Sequence, residues 1–198
     1  MMEVGLNIKV VRLSSEERRE AIKGEAMRLF VDRGMSVGLR DIAAACDMST
    51  PNFYAHFASK EALVEEMFQE GYAIYAAAII AASPSAYSFE KRLECVIYAV
   101  CALHDEDPVL FSFLLLSQHN VLASVEREGN KNPVHLLQGL ITAGMDEGAI
   151  THRDANLVTA MMLGIMLQTA TFLPYRRLDG GMLELSEEIV AACKRVIA

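Results

Sequence analysis

From Ser14 onward apolar residues recur every three or four positions, and no segment alternates apolar with polar in the way a half-buried strand does. That regularity restricts the chain to helices packed on helices, so the expected fold is all-α. Ser14-Ser15-Glu16-Glu17 forms a capping box, after which Ile22, Ala26, Leu29 and Phe30 repeat at helical spacing up to Arg33 and Gly34. Leu39 to Cys46 reads as a second, brief helix, Asp47-Met48 as a tight turn, and Ser49 to Phe57 as a third helix. Ser49 is its natural N-cap, and Pro51 sits in the first turn, where a missing N–H does no harm. A long helix then runs from Lys60 to about Ala82 and stops at Ser83-Pro84-Ser85. Further helices are expected over Phe89–His104, Pro108 to about Leu122, Pro133–Glu147, Asp154–Leu173 and Met182–Ile197. The expected division is a head, residues 1–59, and a helical body, residues 60–198.

Composition narrows the class. With 53% hydrophobic and 22% charged residues in 198, the chain has enough apolar surface for a core, which excludes disorder. Eleven Met and no Trp suit an aliphatic core, or a pocket that repacks around varied apolar ligands. Cys46, Cys95, Cys101 and Cys193 show neither C-x-x-C nor zinc-finger spacing, and the first residues do not read as a signal peptide; a reducing cytoplasm is expected. His104-Asp105-Glu106-Asp107 runs into Pro108 and reads as a solvated loop rather than a metal cluster. Leu157 to Leu173 carries no charge, but 17 residues containing Gln168 and three Thr suit a buried helix better than a membrane span. No cofactor is implied, and no nucleophile elbow, phosphate loop or metal-ligand run points to an enzyme.

The net charge of −8 is unevenly spread. Lys9 to Lys60 holds nine basic and seven acidic residues, whereas the chain from Glu61 onward holds nine basic and eighteen acidic. This is a small basic module on an acidic body. Within the module the two short helices around Asp47 have the pattern of a helix-turn-helix: Ile42, Ala43, Cys46, Met48, Phe53 and Phe57 fill the packing slots. Thr50, Asn52, Ala55 and His56 are then left on the other face, free to enter a major groove, where Asn can meet adenine N6 and N7 and Thr or Ala the thymine methyl.

The stretch from Asp41 to Ser49, followed by Asn52 to Leu63 with Tyr54, Phe57, Lys60 and Leu63 in a Tyr-x-x-Phe-x-x-Lys-x-x-Leu pattern, resembles the DNA-binding head of the tetracycline-repressor (TetR) family. The motif-bearing part covers Glu16 to Phe68; the body agrees in layout only, including Gly148-Ala149-Ile150 before a long apolar helix. The resemblance implies a homodimeric transcription regulator, usually a repressor, whose body binds a small molecule that releases operator DNA. It assigns Tyr54, His56 and Lys60 to backbone phosphates and Thr50, Pro51 and Asn52 to base edges of double-stranded DNA, beside the capping Ser49. Two positions depart from the family pattern. Asp47 stands where Gly is usual, in a turn that Asp tolerates. Gly38-Leu39 stands where Thr or Ser usually holds a phosphate, which leaves that contact to Ser36 or the Arg40 side chain. Lys9, Arg12, Arg18 and Arg19 either add phosphate contacts or form an ordinary solvated face.

In the body, the Asp154–Leu173 helix is apolar on two sides, with Leu157, Met161, Gly164 and Gln168 on one and Val158, Met162, Ile165 and Thr169 on the other. Either a second subunit covers one side, giving with Leu183–Ile197 a two-fold four-helix interface, or the helix is interior in a monomer. A pocket between the helices starting at Phe89, Pro108, Pro133 and Asp154 has Tyr98, Cys101, Phe111, Phe113, His119, Met162, Met166 and Phe172 as candidate walls, each of which is otherwise plain core. With no charge on those faces, the expected effector is uncharged or mostly apolar. The competing readings are a DNA-binding dimer without an effector and a helical interaction protein that has lost DNA binding. A helix from Lys60 to Ala82 with no interior Pro and only Gly71 as a soft point would couple pocket and head.

Overall fold

The computed structural model describes residues 14–122 and 129–198. Among the described residues there are nine α-helices and no strand: α1 (Ser15–Arg33), α2 (Leu39–Ala45), α3 (Thr50–Tyr54), α4 (Lys60–Ala82), α5 (Phe89–Glu106), α6 (Pro108–Val121), α7 (Pro133–Asp146), α8 (Ala155–Phe172) and α9 (Ser186–Ile197). The chain divides into two compact units, with the boundary between Leu63 and Val64 inside α4.

In the first unit α1 packs on α2 and α2 on α3. The capping box closes the start of α1, Ser14 accepting from the Glu17 N–H and Glu17 from the Ser14 N–H. The core is Ile22, Ala26, Phe30, Ile42, Ala43, Phe53, Phe57 and Leu63, each under 5% exposed, and burying each large side chain contributes about 1.5–3 kcal/mol. Asp47 adopts φ 51°, so the turn survives without Gly at the cost of a left-handed backbone that Asp bears better than most residues. The third helix is shorter than its periodicity suggests: it ends at Tyr54, and the Ala55 and His56 N–H groups fall back on the Asn52 and Phe53 carbonyls. That tightened turn swings Phe57 inward to 4% exposure, its ring 5.7 Å from Phe53.

In the second unit α5 packs on α6, α7 and α9, and α8 packs on α7 and α9. Gly144 makes the α5–α7 contact possible: a Cβ there would lie 2.5 Å from two ring carbons of the buried Phe89. At the end of α7, Gly148 (φ 71°) turns the chain so that the Ala149 and Ile150 N–H groups reach the Gly144 carbonyl. Arg92 of α5, buried, pairs with Glu147, and Arg153 closes the end of α9 by donating to the Val196 and Ala198 carbonyls at 2.8 and 3.0 Å.

Two sequence expectations are corrected. His104, Asp105 and Glu106 are not a solvated loop: they are the last residues of α5, with Asp107 ending α5 and capping α6 through the Leu110 N–H. The Asp105 carboxylate reaches across the unit to accept the Met182 and Leu183 N–H groups, both at 2.8 Å. The last helix starts at Ser186 rather than Met182, and residues 182–185 form a turn instead. Helix α8 is long and apolar enough to cross a membrane by length and composition alone, yet Val158, Met162, Met166 and Ala170 are buried within the unit.

Candidate functional site

The first unit presents a short recognition helix. Ser49 caps it by accepting the Asn52 N–H at 3.4 Å, which satisfies one of the unpaired donors of its first turn. Because Phe53 and Phe57 take the inner face, Ser49, Pro51, Asn52 and Tyr54 are exposed, Tyr54 to 55%, and Thr50 is half-buried. A short, capped helix with a phenol, an amide and a hydroxyl along its outer face has the dimensions and donors for a DNA groove. His56 is half-buried, its Nδ1 buried without a partner among the described residues; Arg19 donates to its carbonyl and stacks 4.1 Å above the Phe57 ring. Arg19 is thus part of the packing under the recognition helix. Lys60 donates to the Met35 carbonyl at 2.6 Å and lies 5.6 Å over the Phe30 ring. An ammonium has three N–H groups, so this tether leaves two for a phosphate.

Arg40 and Ser36 are exposed, and α2 has no hydroxyl cap: the Asp41 carboxylate accepts the Gly38 N–H at 3.2 Å. A carboxylate at that terminus repels a phosphate, so of Ser36 and Arg40 it is Arg40 that has a charge to offer. Burial pushes the Cys46 thiol up, which keeps it protonated and unreactive. Lys9 and Arg12 lie outside the described residues.

The second unit holds a cavity of about 510 Å³, within the range of pockets that hold drug-sized ligands (about 300–1,000 Å³). Its walls come from α4 (Tyr72, Tyr75, Ile79), α5 (Val100, His104), α6 (Phe111, Leu114, Gln118), α7 (His135, Gln138) and α8 (Leu163, Met166), with Met182 from the turn before α9. Of the sequence candidates, Phe111 and Met166 line it. Cys101, Phe113 and Met162 are buried in the surrounding core, Tyr98 and His119 are turned away from it, and Phe172 is half-buried 5.7 Å from the Arg177 guanidinium. The reason is helix rotation: α5 turns Val100 and His104, four residues apart, to the cavity, while Cys101 is fully buried in the core. Burial, then Asp105 and Cys193, push the Cys101 thiol up to about 12, and burial pushes Cys193 up to about 11, so both are inert thiols. Periodicity could not reveal Tyr72 and Tyr75 as walls, because the long fourth helix reads as a connector; their spacing of three, which puts both on one face, was the available signal.

Within the walls, polar groups are few and specific. His104 Nδ1 lies 2.9 Å from Asp105 Oδ1, and its ring meets Phe111 edge-on at 4.9 Å. Gln138 Nε2 donates to Asn156 Oδ1 at 2.9 Å. The Tyr75 hydroxyl is buried without a hydrogen-bond partner among the described residues, and burial, with Asp107 and Cys101, raises its pKa so that it stays a neutral donor.

An exposed, capped short helix on a helix-turn-helix scaffold is thus joined in one chain to a helical unit with an apolar cavity. Residues 24–67 match the model of the bacterial regulatory proteins of the tetR family. The whole fold is similar to solved structures of that kind. A bacterial regulatory protein in the tetR family from Rhodococcus RHA1 shares 21% identity at a TM-score of 0.76, over 91% of this chain and 97% of its own. The TetR family transcriptional regulator PfmR from Thermus thermophilus shares 21% at 0.67, over 89% and 96%. The fatty acid degradation regulator FadR from Bacillus halodurans shares 18% at 0.72, over 89% and 94%. No curated protein sequence matches the chain.

Proposed function

We propose that the protein is a cytoplasmic homodimeric repressor that binds a palindromic operator and is released by a small, mostly apolar effector held in the 510 Å³ cavity. The observation that carries this reading is the cavity itself: among the described residues no Lys, Arg, Asp or Glu lines it, and an apolar space of that size is a ligand site before it is anything else. Helix α4 supplies Lys60 to the first unit and Tyr72, Tyr75 and Ile79 to the cavity wall, so an effector that rearranges the wall acts on a helix that the head also uses. The outer face of α8 supports the dimer: Leu157 is 57% and Met161 38% exposed, and a Cβ built on the exposed Gly164 would have nothing within 4 Å. Two-fold association would cover that stripe and present two recognition helices to two half-sites. Base readout falls to Thr50, Pro51 and Asn52, and phosphate contacts to Arg40, Tyr54, His56 and Lys60.

The test is to select bound fragments from genomic DNA with the purified protein, then titrate compounds that raise its melting temperature into the complex. A symmetric motif released by such a compound is expected. Tight binding that no stabilising compound weakens would leave a DNA-binding dimer without an effector.

A further inference from the structure

Helix α3 has five residues, far below the length of about 12 at which a helix begins to hold itself in water, so its orientation is set by what pins its two ends. Ser49 caps the first turn. At the other end α3 stops at Tyr54, and the next turn is held from α1. The Arg19 side chain donates to the His56 carbonyl, and its guanidinium carbon lies 4.1 Å from the centre of the Phe57 ring. That ring also packs on the fully buried Phe53, 5.7 Å away. A carbonyl beyond the last helical residue has no helical N–H to accept from, and an Arg donor satisfies it. One guanidinium therefore fixes a backbone carbonyl and the side chain of the next residue, two points that together set how the turn is rotated. Tyr54, exposed to 55%, stands directly before this turn with its ring edge-on to Phe53 at 6.1 Å.

We propose that Arg19 is a positioning residue for DNA binding: it touches no nucleotide, it holds the turn that aims Asn52, Tyr54 and His56, and the shape of its guanidinium rather than its charge sets operator affinity. This rests on the reading of α3 as the helix that meets DNA. Arg19 is half-buried, and its orientation is fixed by contacts inside the first unit, so it is neither a solvated face residue nor a phosphate ligand. A planar fork can lie on a ring and donate in its own plane to a carbonyl at the same time. A Lys ammonium carries the same charge without the plane, and so makes one of the two contacts but not both.

The experiment compares the full-length native protein with Arg19→Lys and Arg19→Gln. Amide hydrogen exchange in the free protein reads the turn: the Ala55, His56 and Phe57 N–H groups should exchange about tenfold faster in both variants, while Ala26 and Phe30 within α1 are unchanged. Fluorescence anisotropy across a salt series, with the selected operator and with a random duplex of equal length, reads the consequence. Both variants should weaken operator binding about tenfold and keep the native slope of affinity against salt, because no phosphate contact is lost. Arg19→Lys, with the charge intact, should leave the random duplex nearly unaffected. A phosphate ligand would behave in the opposite way: Arg19→Lys would bind the operator like the native chain, and Arg19→Gln would flatten the salt slope by about one. Either result overturns the proposal, as does unaltered exchange in the turn. Arg19→Lys keeps the stem and the charge, and so folds even where Arg19→Gln does not. A native protein that binds no selected duplex overturns the regulator reading instead, and the exchange rates alone then decide whether Arg19 holds the turn. Fast exchange in the turn with undiminished operator affinity overturns the positioning role and leaves the regulator reading standing.

Discussion

Asp105 is the residue whose loss has the most traceable consequence. Its Oδ1 accepts from the Met182 N–H at 2.8 Å and from His104 at 2.9 Å, and its Oδ2 accepts from the Leu183 N–H at 2.8 Å. Asp105→Asn keeps the shape but has one accepting oxygen, so its NH2 group must face at least one of those donors. Hydrogen bonds to a charged group contribute about 1.5–3 kcal/mol each. With the side chain 29% exposed, solvent screens part of this, and a net loss of about 2 kcal/mol is expected. Urea denaturation of both proteins reads it directly. The pH dependence has a definite sign. The folded pKa is depressed, so the stabilisation is present above the unfolded value, near 3.9, and is lost as pH falls through the lower folded value. The gap between native protein and variant should be full at about pH 7 and should close below about pH 4. Gly181→Ala attacks the same contact from the other side, since a Cβ there would sit 2.5 Å from Asp105 Oδ2 and 3.0 Å from its Cγ. Equal stability of Asp105→Asn and native protein at neutral pH, or a gap that persists undiminished at about pH 3, would refute the reasoning.

Three further outcomes are expected. Asn52→Ala should weaken binding to the selected operator by about 1–3 kcal/mol while leaving random DNA nearly unaffected, as measured by fluorescence anisotropy; equal losses on both would reduce Asn52 to a positioning role. Gly144→Ala should lower stability by about 1–3 kcal/mol in denaturant despite its better helix propensity, because its Cβ would enter the buried Phe89 ring at 2.5 Å; a stabilised variant would show that Phe89 moves freely. Met161→Glu, on the exposed stripe of α8, should give a monomer by sedimentation at micromolar concentration with an unchanged helical spectrum, whereas an unaltered dimer would place the interface elsewhere.

The sequence by itself determined the elements whose causes are local. Helix ends were legible because capping is a matter of neighbours: Ser14 with Glu17, Ser49 with Asn52, Gly148 after α7. The helix-turn-helix was legible for a related reason, since Ile42, Ala43, Phe53 and Phe57 lie within sixteen positions of one another and pack on a short scaffold. Tertiary structure decided what depends on partners far along the chain. Asp105 looked like a loop residue because its two backbone partners, Met182 and Leu183, are more than seventy positions away. Lys60 read as a phosphate ligand, and its tether to the Met35 carbonyl appeared only in three dimensions. The cavity was the least legible feature. Apolar periodicity marks which residues turn inward, but whether an inward residue meets another side chain or open space depends on the rotation and spacing of five helices at once. Phe111 and Met166 therefore line the cavity, while Cys101, Phe113 and Met162, on equally apolar faces, are buried in the core around it.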